Sequence, residues 1–191
     1  MTYMEKFVHF IFAILLSASV AAAQSEAAGN ARFPGLSPQH LKILNAAKKV
    51  TAIPLPTWLP AGFKAESVIS KLGARVPLED QQLAIIYSKK LAGGKIQRFS
   101  LEAGLGGIGG LPYDVTKVIP TAVGEIDLMY EPKDPDDDKK KITRFSLTEW
   151  FKVGRTDFHF DGMHGIYENS KGLTMISLAD TEKILRSLRR F

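Results

Sequence analysis

Two short stretches of this sequence carry residue types at spacings that chemistry uses. The first is Asp157-Phe158-His159-Phe160-Asp161-Gly162-Met163-His164. Side chains alternate between faces along a strand, so Asp157, His159 and Asp161 would point one way and Phe158 and Phe160 the other. An imidazole flanked by carboxylates, with His164 returning after a turn at Gly162, is a donor set for a divalent metal. His159, Asp161 and His164 are therefore the candidate metal ligands, and a metal-assisted hydrolase is the enzyme they would support. The same alternation also describes a hairpin whose phenylalanines face the core and whose polar side faces water. The spacing matches none of the usual zinc patterns.

The second stretch is AGLGGIGGLPYD, residues 103 to 114, in which Gly104, Gly106 and Gly109 stand at the G-x-G-x-x-G spacing of a dinucleotide-binding loop. That chemistry needs a strand leading into the glycines and a helix starting within them, because the helix N-terminus holds the pyrophosphate. The strand is present in Ile96 to Leu101. The helix is not: Pro112 and the β-branched run from Val115 to Ile119 read as extended chain. The glycines are expected instead to let the chain turn, bulge or pass close to another backbone.

Other templates fail in turn. The chain has no cysteine, so it has no thiol nucleophile and no disulfide, and neither a G-x-S-x-G elbow nor an H-E-x-x-H helix occurs. Asp134, Asp136 and Asp138 imitate the start of a calcium loop, but Lys139 stands where that loop needs glycine and Phe145 where it needs glutamate. No catalytic residue and no cofactor is assigned, and the reading leans towards a protein that is not an enzyme.

The elements that must position these residues start after an export signal. Lys6 precedes the apolar run from Phe7 to Leu16, and Ala21-Ala22-Ala23 supplies a small-residue cleavage site. Residues 1–23 read as a signal peptide, with an uncleaved anchor as the alternative, and 24–36 as a flexible leader. A single α+β domain over 37–191 follows. Without a cysteine at the cleavage point the product is not a lipoprotein, so a periplasmic or secreted location is expected, with no transmembrane segment in the mature chain. The formal net charge is +5, but the basic residues are scattered and the Lys139-Lys140-Lys141 run is offset by aspartates. That pattern suits a solvated surface, and nucleic acid is not an expected partner.

Ser37 is a good N-cap with Pro38 at the first helical position, and Leu41, Leu44 and Ala47 follow at helical spacing, which predicts a helix from Ser37 to about Lys49. Ile53 to Pro60 is a proline-punctuated extended stretch. Strand patterns then run over Phe63 to Ser70, Leu83 to Ser88, Ile96 to Leu101, Val115 to Ile119, Glu125 to Tyr130, Ile142 to Trp150, Asp157 to Asp161 and Leu173 to Ser177. Ser177 and Asp180 form a variant capping box before a closing helix to Leu188, whose apolar face would be Ile184, Leu185, Leu188 and Phe191. The expected architecture is a curved antiparallel sheet, ordered as a meander, with the N-terminal and C-terminal helices packed on one face.

Leu59-Pro60-Ala61-Gly62-Phe63, the strand holding Tyr87, the Ile96 to Leu101 strand, the Val123-Gly124 turn, Trp150 followed by Gly154, and the Leu178 to Leu188 helix together resemble one family. It is the uncharacterised bacterial extracytoplasmic domain attached to anti-sigma-factor-like membrane proteins, with an L-P-x-G-[FY] opening and a small closing helix. The likeness spans about Ile53 to Arg189. It implies an antiparallel α+β domain that works by binding or sensing, akin to the half-barrels of lipoprotein carriers, and it brings no catalytic residues. Trp58 stands where the family often has Tyr, the Asp134 to Lys141 loop is an elaboration, and no sigma-binding part is read here. The expected function is an exported, non-enzymatic binding domain whose partner is an envelope protein or an apolar small ligand, the latter motivated by the aromatics Trp58, Phe63, Phe99, Phe145, Trp150 and Phe151.

Overall fold

The computed structural model describes residues 32–73, 76, 80–104, 115–130, 146–162 and 172–191. The first helix, α1 (Pro38–Ala47), begins as its sequence dictates: the Ser37 hydroxyl accepts from the His40 N–H, and His40 Nδ1 accepts from the Ser37 N–H. Both donors would otherwise be left unsatisfied at the helix start. Leu41, Leu44 and Ala47 form its buried face. Ordered chain precedes it, inside the stretch expected as leader, because Phe33 is buried and its ring packs edge-on against Phe191.

Strands β1 (Pro54–Pro56), β2 (Lys64–Lys71), β3 (Gln82–Lys90), β4 (Ile96–Gly104), β5 (Val115–Thr121) and β6 (Gly124–Tyr130) follow, then β7 (Leu147–Thr148), β8 (Phe151–Val153), β9 (Thr156–Asp161) and β10 (Leu173–Thr174). Helix α2 (Leu178–Arg186) and β11 (Leu188–Arg190) close the chain. The β3–β4 hairpin turns through Gly93 and Gly94, both at positive φ, the left-handed region that glycine enters without a Cβ penalty.

Among the described residues the main sheet has nine strands, ordered β2-β3-β4-β9-β7-β6-β5, with β8 beside β9 and β10 beside β4. The pairings are antiparallel except β10 with β4, which is parallel. This corrects the expected meander. Strand β4 pairs with β9 rather than with β5, which is its successor in sequence, and the β5–β6 hairpin attaches at the far side through β7. Alternation identifies a strand and its faces but not its neighbour in the sheet. The Ile142 to Trp150 strand is also corrected: β7 and β8 both pair with β9, interrupted at Glu149 and Trp150. Residues 142–145 of that prediction lie outside the described residues.

The closing helix is shorter than its spacing predicts. α2 stops at Arg186, and Leu188–Arg190 pairs with β1 as a separate two-stranded ribbon. Leu188 is fully buried, which a strand satisfies as well as a helix does. Thr57 fixes the junction by donating from its N–H and its hydroxyl to the Ser187 carbonyl. Pro54 and Pro56 cannot donate to a ladder, so β1 suits a two-stranded ribbon rather than a central strand. Among the edges of the main sheet, β5 carries Pro120, which removes a donor that a further strand would need.

One core spans both sheets and both helices. At its centre the Phe99 ring stacks on Tyr87 at 4.8 Å and on Phe160 at 5.3 Å, with Phe63 tilted against it at 5.4 Å. The Tyr87 hydroxyl is wholly buried there and, among the described residues, has no hydrogen-bond partner. A buried orphan hydroxyl costs about 1–3 kcal/mol, so Tyr87→Phe is expected to stabilise the protein by about 1 kcal/mol in chemical denaturation. Burial also pushes the Tyr87 phenol well above its ordinary range. Above pH ~10 the unfolded chain loses this proton while the folded one keeps it, so stability falls as pH rises, and the phenylalanine variant should lose less. An unchanged or lower midpoint for the variant would argue against an orphan hydroxyl.

Candidate functional site

β9 delivers the alternation its sequence predicts. Phe158 and Phe160 are buried, while Asp157, His159 and Asp161 are half-buried on the opposite face. The register sets Ser100 opposite Asp161, Glu102 opposite His159 and Gly104 opposite Asp157, and directly opposed residues share a face. Ser100 donates to Glu102 Oε1 at 2.6 Å, and Lys152 Nζ lies 3.9 Å from Asp157 Oδ1. The break between β7 and β8 lets Trp150 lie over this face, with its ring 5.1 Å from that of His159.

A Cβ at Gly104 would stand 3.5 Å from Trp150 Cη2, an ordinary van der Waals contact, so the packing of the indole does not itself require glycine there. Gly106 and Gly109 lie outside the described residues, as does His164. The structure thus brings His159 and Asp161 to one face, two residues apart on one strand. Among the described residues no three His, Cys, Asp or Glu side chains are grouped so as to hold a metal ion.

The aromatic residues that motivated ligand binding are mostly core. Phe63, Phe99 and Phe151 are buried, Trp150 packs on His159, and Trp58 is partly exposed with Lys183 Nζ 5.5 Å from its ring centre. Phe145 lies outside the described residues.

A concave site lies elsewhere, where α1 crosses the end of β2. An open groove of about 370 Å³ is lined by Lys42, Ile43, Ala46, Ala47, Ser70 and Leu72. Its origin is local. Leu41, Leu44 and Ala47 turn the helix onto the core, which leaves Ile43 and Ala46 on the flank, and two alanines in the last turn fill little space beside the strand. Beyond Leu72 a second hollow, about 20 Å³, reaches Val50, Thr51, Gln81 and Thr156. Thr51 and Thr156 hydroxyls bond to each other across its floor. Val50, which also lines this hollow, is 53% exposed.

Small-molecule sites commonly occupy roughly 300–1,000 Å³ with apolar walls and a few polar groups. This groove falls at the small end of that range, lined among the described residues by four apolar residues and two polar ones. Among the described residues Lys42 has no ion pair and the Ser70 hydroxyl no hydrogen bond. Neither group was singled out by the sequence, in which 42–47 reads as one flank of a short helix. The available signal was the Ala46-Ala47 pair followed by an apolar Val50 after the helix end. No protein-family model, curated protein or solved structure matches this chain.

Proposed function

We propose that this protein is an exported, non-enzymatic binding or sensing domain that takes an apolar small ligand into the groove between α1 and the end of β2. The observation that carries the reading is the groove itself, open to the outside and walled by Ile43, Ala46, Ala47 and Leu72. The apolar run and small-residue site of the first 23 residues support export. No described helix is long and apolar enough to cross a membrane, which accords with that location. In this reading both helices stand on one face of a curved sheet, with the main contacts of α1 to β2 and of α2 to β5. The resemblance to extracytoplasmic domains of anti-sigma-factor-like proteins points to the same class of function.

The test is native mass spectrometry of the protein purified from its own envelope, beside the variant Ala46→Trp. Ala46 is exposed, so the variant should fold with stability within about 0.5 kcal/mol of the parent while the indole fills the groove. The expected result is an excess mass on the parent that denaturation removes and that the variant lacks. Equal excess mass on both proteins, or none on either, would overturn the groove as the site.

A further inference from the structure

Resting on that reading, we infer that the groove's ligand is an amphiphile with a single anionic head, its chain along Ile43, Ala46, Ala47 and Leu72 and its carboxylate at Lys42. Lys42 and Ala46 are four residues apart on α1, so they sit one above the other on one helical face. The lysine stem therefore extends the apolar wall and its ammonium marks one end of it. That ammonium has no carboxylate partner among the described residues. The second polar lining group, Ser70, has a hydroxyl with no hydrogen bond among the described residues, free to donate to a bound head group.

The charge pattern narrows the ligand class. A neutral apolar molecule leaves both polar groups idle, and a cationic amphiphile is repelled by Lys42. Among the described residues one lysine and no arginine line the groove, which matches a head of one negative charge rather than two. The groove is open, and its volume of about 370 Å³ accommodates an alkyl chain without fixing its length. A medium-chain carboxylate meets the charge pattern and serves as the probe.

The experiment compares decanoate, decanol and decyltrimethylammonium, each below its micelle concentration, by calorimetric titration of the mature protein. Decanoate should bind three- to tenfold more tightly than decanol at low salt, with the difference shrinking as ionic strength rises. The cationic probe should bind more weakly than decanol. Lys42→Glu should weaken decanoate about tenfold and leave decanol unchanged, and Ala46→Trp should weaken both. Should decanol equal decanoate, or Lys42→Glu weaken the two alike, while Ala46→Trp still blocks them, the anionic head is refuted and the groove stands. Should neither probe bind, or Ala46→Trp leave them unaffected, the groove reading fails and takes this inference with it.

Discussion

Phe99→Ala is expected to remove about 3–5 kcal/mol of folding stability, the range for truncating a fully buried aromatic residue. Phe99 is 0% exposed and touches three other rings, those of Phe63, Tyr87 and Phe160. Two of these rings belong to β3 and β9, the strands on either side of β4, and the third to the segment entering β2. Removing the ring therefore opens a void under strands that are distant in sequence, which local relaxation cannot refill. A domain of this size has only about 5–15 kcal/mol in total, so the variant should unfold at markedly lower denaturant, with the slope of the transition unchanged. Phe99→Leu keeps most of the volume and should lose less than half as much. A loss under about 1 kcal/mol for the alanine variant would mean that the four rings do not form the centre of the core.

What could be read from the sequence was what neighbours in sequence decide. Ser37 and Pro38 mark a helix start within two positions, and the β3–β4 hairpin needs only two glycines between apolar alternations. Phe158 and Phe160 are buried because a strand of that pattern has one place to put them. The failures share a cause, which is that two structures satisfy one pattern. Leu185 and Leu188 suit a helix and also suit a helix end followed by a strand, and only the unpaired edge of β1 decides between them. Pairing of β4 with β9 across more than fifty residues was illegible for the same reason. The groove was harder still. It arises from what Ala46 and Ala47 leave unfilled beside β2, and the space between two elements is absent from either one's pattern.

Gly162→Ala is the second large effect, and it separates two reasons for a glycine. In sequence Gly162 reads as a turn residue whose conformational freedom lets the chain reverse. The structure gives it a different necessity. It is not among the glycines at positive φ, so an alanine could adopt its backbone, but the added Cβ would stand 2.6 Å from the Ser146 carbonyl oxygen and 3.2 Å from Ile176 Cγ2. Neither neighbour can yield cheaply. The Gly162 N–H donates to that same Ser146 oxygen at 2.7 Å, and the Ser146 hydroxyl donates to Thr181 of α2 at 3.0 Å. Relieving the clash breaks the first bond and pulls on the second, loosening β9 from the start of β7 and from α2 together. Overpacking costs about 1–3 kcal/mol and a lost hydrogen bond about 1, so the variant should be destabilised by about 2–4 kcal/mol. Amide exchange should accelerate at Gly162 and Thr181 while the Leu44 amide in α1 keeps its protection relative to the lowered global stability. A variant as stable as the parent would show that β9 and Ser146 are not in contact, and the junction of β7, β9 and α2 would have to be redrawn.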